Sequence, residues 1–168
     1  MMLKALAVLR ILIGLLLISA SIKKWSNPAF FQLDGFANIL AQKGAPFPFY
    51  KILLDNYIFP HTATFATLAA LGESIIGLSF VIGAFTNPVS IAGMIMILNF
   101  CLATCYGRPD KIAGHLFLIG LMGLVGFYSA GSAWGADHFL ADKLWSRLVF
   151  FPYLRKHKPA AIKDAASA

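Results

Sequence analysis

The sequence predicts an all-α integral membrane protein, a four-helix bundle with interfacial helices in its first loop and near its C-terminus. Three observations carry that prediction. The chain is 59% hydrophobic and 12% charged, against roughly 45–50% and about 25% in soluble domains. Its apolar residues gather into four long runs, each long enough to cross a hydrocarbon core of roughly 30 Å at about 1.5 Å per residue. The runs end in basic, aromatic, Pro and Gly residues of the kind that sit at a membrane–water interface.

The first run covers residues 5–22 and contains one charge, Arg10. It stops at Lys23-Lys24-Trp25. A lesser alternative is a cleaved signal peptide with Ser19-Ala20-Ser21 as its cleavage site. Residues 26–61 are apolar but broken by Pro28, Gly35, Gly44, Pro46, Pro48 and Pro60. They read as one or two short interfacial helices folded over one mouth of the bundle. The second run, 62–85, contains Glu73, and the third, 89–106, contains Cys101 and Cys105. Only Thr86-Asn87-Pro88 separates these two runs, which predicts a tight antiparallel hairpin. The fourth run, 112–130, follows the turn Gly107-Arg108-Pro109-Asp110, and Gly120, Gly123 and Gly126 form a small-residue stripe suited to close helix contact. Apolar residues at helical spacing between 138 and 153, mixed with Lys143 and Arg147, predict an amphipathic helix lying on the membrane. The folded domain is thus 1–153, and 154–168 reads as a basic, disordered tail.

The net charge is +7. The bases are scattered between apolar runs and in the tail, which suits anionic lipid and argues against nucleic acid. Four spans place both termini on one side. That side carries seven bases (Lys4, Lys143, Arg147, Arg155, Lys156, Lys158, Lys163) and the other carries six (Lys23, Lys24, Lys43, Lys51, Arg108, Lys111). This slight bias puts the termini in the cytoplasm and the protein in the cell membrane. The two cysteines stand four apart in an apolar run, poorly set for a disulfide. No Cys-x-x-Cys occurs, which argues against a thioredoxin-like or quinone-linked disulfide-forming enzyme.

Arg10 and Glu73 are the informative positions. A charge near the centre of an isolated span costs at least ~2.5–3.5 kcal/mol on insertion scales. Glu73 falls near the middle of its run and Arg10 about one turn from the middle of its own. The expectation is that they pair inside the bundle. Two readings follow. The pair fixes helix register without doing chemistry, or it lines a polar pocket in which Arg10 hydrogen-bonds a quinone carbonyl and Glu73 exchanges a proton with the ring. Asn99, His115, Lys23, Lys24 and His61 are expected near one membrane surface as further binding groups, the bases attracting an oxyanion. A Cys/Cys/His metal site is conceivable there, but cysteines in apolar runs usually act as small hydrophobes, so no metal is assigned. One intramembrane His does not supply the two axial ligands of a haem.

Four stretches resemble the DoxX/DoxD family of small membrane proteins. They are Leu9-Arg10-Ile11-Leu12-Ile13-Gly14 with Lys23-Lys24-Trp25; Gly72-Glu73-Ser74-Ile75-Ile76-Gly77-Leu78 with Ile82-Gly83-Ala84-Phe85-Thr86; Asn27-Pro28 with Pro48-Phe49-Tyr50; and the exit Ser129-Ala130-Gly131-Ser132-Ala133-Trp134-Gly135-Ala136-Asp137. The chain departs at Ser132-Ala133, where many relatives carry a base. The resemblance implies a four-helix membrane fold. It also implies a role as membrane subunit of a thiosulfate:quinone oxidoreductase, working with a second redox subunit. Quinone would be an exchangeable substrate, with no tightly bound cofactor. The alternative is a non-catalytic membrane scaffold that recruits redox or assembly partners.

Overall fold

A computed structural model describes residues 2–32 and 35–140. The predicted basic tail, and the predicted surface helix beyond Leu140, lie outside the described residues. Helix α1 (Met2–Trp25) is followed by a 3-10 turn (Pro28–Phe31) and then α2 (Gly35–Lys43). Helix α3 (Pro48–Leu53) runs through one wide π turn (Leu54–Ile58) and a 3-10 turn (Phe59–His61) into α4 (Thr62–Ile82). Then come α5 (Thr86–Thr104), α6 (Pro109–Phe127), a 3-10 turn (Ala130–Ser132) and the short α7 (Asp137–Leu140). Among the described residues there is no sheet, only an isolated backbone bridge between Ala45 and Tyr106.

Four helical stretches are long and apolar enough to cross a membrane: Leu3–Trp25, Pro48–Ile82, Thr86–Thr104 and Pro109–Phe127. Large apolar side chains point outward along all four, from Leu12, 58% exposed, to Phe117, 68% exposed. Helices satisfy their own backbone hydrogen bonds, so lipid is the solvent that accepts such a surface without cost. Of the expected first-loop helices, α2 stands by itself, while α3 leads into α4 through the π and 3-10 turns around Pro60, with a non-helical break at His61 (φ −120, ψ 37).

Helix α1 lies along α4 and α5 along α6, with α4 and α5 joined by a three-residue link. Gly83 ends α4 in the left-handed region at φ 74, a conformation that costs glycine nothing. Helix α5 starts earlier than the sequence suggests, at Thr86, since Pro88 sits in the first turn, where its missing N–H is no loss. Helix α6 likewise opens on Pro109, with Asp110 favourably placed at its N-terminus.

Helices α1 and α4 pack tightly against each other at two glycines. A Cβ on Gly14 would meet Gly77 O at 2.8 Å, and one on Gly77 would meet Ile18 Cγ1 at 2.9 Å. The predicted stripe on α6 is only partly used. A Cβ on Gly126 would strike Ser90 Cβ at 2.7 Å, but one on Gly120 would meet nothing within 4 Å. One core lies between the spans, around Ile13, Leu17, Ile76, Phe80, Ile97, Met122 and Val125. A second core lies under the first loop, where Phe30, Phe36, Leu40, Tyr50 and Leu54 pack on Ala66, Ala70 and Ala103. That loop is pinned over the end of α5. Phe47 N donates to Leu102 O (2.9 Å), Tyr106 N to Ala45 O (3.0 Å), and Lys111 Nζ to Lys43 O (2.7 Å).

Candidate functional site

The α1–α4 pair carries two polar clusters, one at each end, and they divide the two charges expected to meet. At the end where α4 finishes, Arg10 is 0% exposed. Its guanidinium lies against the backbone of the exit loop and of the α4 cap. Nη2 donates to Trp134 O at 3.2 Å. A Cβ on Gly83 would sit 1.7 Å from Nη1, and one on Gly135 would sit 2.4 Å from the same atom. Both positions must be glycine for the guanidinium to fit. Asp137 provides the opposing charge nearby. Its carboxylate accepts hydrogen bonds from Phe85 N (2.7 Å) and Thr86 N (3.0 Å), so it caps α5 from a distant part of the chain. The loop between them holds Ser129 and Trp134 at positive φ, 45 and 55. For a residue as bulky as Trp that is strained backbone. It is fixed there by the bond from Arg10 and by Asp137 N donating to Gly83 O at 2.8 Å.

At the other end, Glu73 is 4% exposed and forms an ion pair with Lys24. The Lys24 ammonium also lies over two aromatic faces, 4.8 Å from the Phe100 ring centroid and 5.7 Å from that of Phe30. A hydroxyl ladder flanks the pair. Ser21 Oγ and Ser74 Oγ share a hydrogen bond at 2.5 Å, Ser74 Oγ donates to Ala70 O at 2.8 Å, and Trp25 Nε1 donates to Ser74 Oγ at 3.2 Å. The second carboxylate oxygen of Glu73, Oε2, is buried with no hydrogen-bond partner.

The expected Arg10–Glu73 pair therefore does not form. The Arg10 guanidinium lies beside Gly83, ten residues past Glu73, or about 15 Å along a helix rising 1.5 Å per residue. Helix register and side-chain direction together account for the separation. Every helical Cα–Cβ bond tilts toward its own N-terminus. In an antiparallel pair Arg10 and Glu73 consequently lean away from each other, whereas Lys24 and Glu73 lean together.

The other expected site residues scatter. Lys23 and His61 are exposed, and His61 Nδ1 lies 3.2 Å from Tyr57 O in its own helical stretch. Asn99 accepts a 2.7 Å hydrogen bond from Tyr50 Oη and returns its amide to Ile95 O, which ties α3 to α5. His115 stands beside the cysteines, with Nδ1 3.6 Å from Cys105 Sγ and 2.8 Å from Lys111 O. Sequence reasoning placed Lys24 among surface bases and passed over Phe30, Phe100, Ser21 and Ser74. The available signal was Gly14 and Gly77: setting those two face to face fixes a register that puts Lys24, and not Arg10, within reach of Glu73.

Arg10, Lys24 and Glu73 all fall in the segment that the comparisons recognise. No curated protein and no solved structure matches the chain. The family model described as DoxX matches residues 5–104, well over half of the chain. With four apolar helices able to span a bilayer, this is a multi-pass membrane protein, and it belongs to the DoxX family.

Proposed function

We propose that the protein is the membrane subunit of a quinone-linked redox system, and that Lys24 and Glu73 are the polar groups its quinone meets. The observation that carries this reading is the buried ion pair under the Phe30 and Phe100 rings, with Glu73 Oε2 unpartnered. An aromatic-walled site with an ammonium donor and a carboxylate suits a quinone head group. Lys24 hydrogen-bonds a ring oxygen, and Glu73, ionised in the pair, takes up a proton from interfacial water and relays it to the ring as electrons arrive. Intramembrane ionisable groups are costly, and a function is the default reason to keep them.

The resemblance of Asn27-Pro28 and Pro48-Phe49-Tyr50 in the first loop to the DoxD branch supports thiosulfate as the donor. Two thiosulfate ions join through a new S–S bond and release two electrons; one quinone takes these with two protons, yielding tetrathionate and quinol. A second redox subunit supplies the donor site, since thiosulfate chemistry needs groups outside the pair. In this arrangement the termini face the cytoplasm of the cell membrane and quinone is an exchangeable substrate. The test is reduction of a soluble quinone analogue by thiosulfate in membranes containing the protein, with and without a coexpressed partner. Wild-type membranes are expected to reduce it and Glu73→Gln membranes, matched for folded protein, to lose most of the rate. No reduction in either preparation removes the enzymatic reading.

A second reading, a scaffold for redox or assembly partners, is favoured by the close packing of both charge clusters. The Lys24 and Glu73 side chains are only 13% and 5% exposed. It requires a reproducible protein partner on crosslinking in intact membranes, unaffected by Glu73→Gln.

A further inference from the structure

A third polar group lies apart from both charge clusters. Cys101 belongs to the last turn of α5, and Cys105 is the residue that caps it. His115 lies on the second turn of α6, folded back against them. One ligand atom from each of the three lies within 4.8 Å of the others. Both thiols are buried and neither is in a disulfide. Cys105 leaves the helix at φ −110, ψ 7, which turns its Sγ to within 3.6 Å of His115 Nδ1.

We infer that Cys101, Cys105 and His115 form a binding site for a thiophilic d10 cation, Cu+ or Zn2+, where α5 passes into α6. The chemistry of the donors points to that class. Two sulfurs and one imidazole select soft or borderline ions and discriminate against Mg2+ and Ca2+, which want oxygen. The 3.6 Å between Cys105 Sγ and His115 Nδ1 suits two ligands on one ion with bonds of about 2.0–2.3 Å, and the third donor needs only a small shift to join them. Three donors complete a trigonal shell for Cu+ and leave one open position on Zn2+. Lys111 O, 2.8 Å from Nδ1, accepts the imidazole N–H when the ring is free; an ion held by Nε2 keeps that bond, and one held by Nδ1 replaces it. Thr104 Oγ1 lies 3.6 Å from Cys105 Sγ and is a further hydrogen-bonding neighbour. The thiols release their protons on binding, so the ion competes with protons for the site.

The three donors also explain a coincidence of packing. A disulfide between residues four apart is geometrically unfavourable, so burying two thiols beside an imidazole has no use in that linkage. A shared ion ties the end of α5 to the start of α6 at the turn on which the first loop is pinned.

The experiment is anaerobic titration of the purified, reduced protein in detergent with Cu+ against a chromophoric competitor, and in parallel with Zn2+. One equivalent of Cu+ or of Zn2+ bound per chain supports the site, and which arm saturates tells the two ions apart. Cys101→Ser, Cys105→Ser and His115→Gln are each expected to weaken binding by at least the roughly 10–100-fold that loss of an outer-shell partner alone costs. His115 is only partly buried, so His115→Gln keeps the test informative should a buried serine impair folding. Competition lost to the chelator in both arms by the wild-type protein, or stoichiometric binding undiminished in His115→Gln and Cys105→Ser, overturns the inference.

Discussion

Replacing Lys24 by Met removes the ammonium from Glu73 and leaves a buried carboxylate whose Oε2 already has no partner. Breaking one side of a buried pair costs about 3–5 kcal/mol, because the remaining charge is stranded. The converse change, Glu73→Gln, strands less. Lys24 keeps two aromatic faces, each contributing about 0.5–2 kcal/mol in desolvated surroundings. Its cost is therefore expected to fall near 1–3 kcal/mol, below that of Lys24→Met by roughly one to two cation–π contacts. The double variant Lys24→Met/Glu73→Leu buries no charge and retains comparable volume, so it should lie within about 1 kcal/mol of wild type or above it. Reversible unfolding in mixed micelles, followed by tryptophan fluorescence, measures each variant, and Lys24→Met/Glu73→Gln closes the double-mutant cycle with the two single variants and wild type. A coupling energy below about 0.5 kcal/mol, the scale at which independent sites simply add, would refute a buried, interacting pair. So would equal costs for the two single variants.

The glycine crossing and the α5 cap give two further outcomes. Gly14→Leu should separate α1 from α4 and abolish the monodisperse folded peak in detergent chromatography, since even a Cβ there lies 2.8 Å from Gly77 O. Gly120→Ala, with open space around it, should be neutral or stabilise α6 by up to about 1 kcal/mol through helix propensity. Asp137→Ala should cost about 0.5–2 kcal/mol as a lost helix cap, and more if the charge on Arg10 depends on it, read as a fall in melting temperature. Asp137→Asn, which keeps an acceptor for one of the two backbone N–H groups, should fall between Asp137→Ala and wild type.

The positions of the spans are legible because the hydrophobic period and the interface residues are local properties of the chain. Trp25 ends α1 and Pro109 begins α6 for reasons visible within a few residues. What the sequence does not display is how two helices slide past each other. Placing Arg10 opposite Glu73 by the midpoints of their runs assumes that spans are centred on one plane. The contact that sets the offset is between two glycines, residues with no side chain to announce it. The side chains then extend the error, since those of Arg10 and Glu73 lean toward opposite ends of the bundle. Asp137 shows the same limit from another side. Its place at the end of a small-residue exit is visible, but the helix it caps begins fifty-one residues earlier.

Cys101, Cys105 and His115 belong to the same class of arrangement. A spacing of four within α5 and a further ten across the turn is no metal-binding pattern by itself. It becomes a cluster only because α5 and α6 are antiparallel and joined by four residues. Both charge clusters involve glycines: Gly83 and Gly135 leave room for the Arg10 guanidinium, and Gly77, one turn from Glu73, packs against Gly14 and Ile18 of α1. In lipid there is no hydrophobic force to press helices together, so close packing and interhelical polar contacts must do it. The register of the small residues therefore decides which charges become partners.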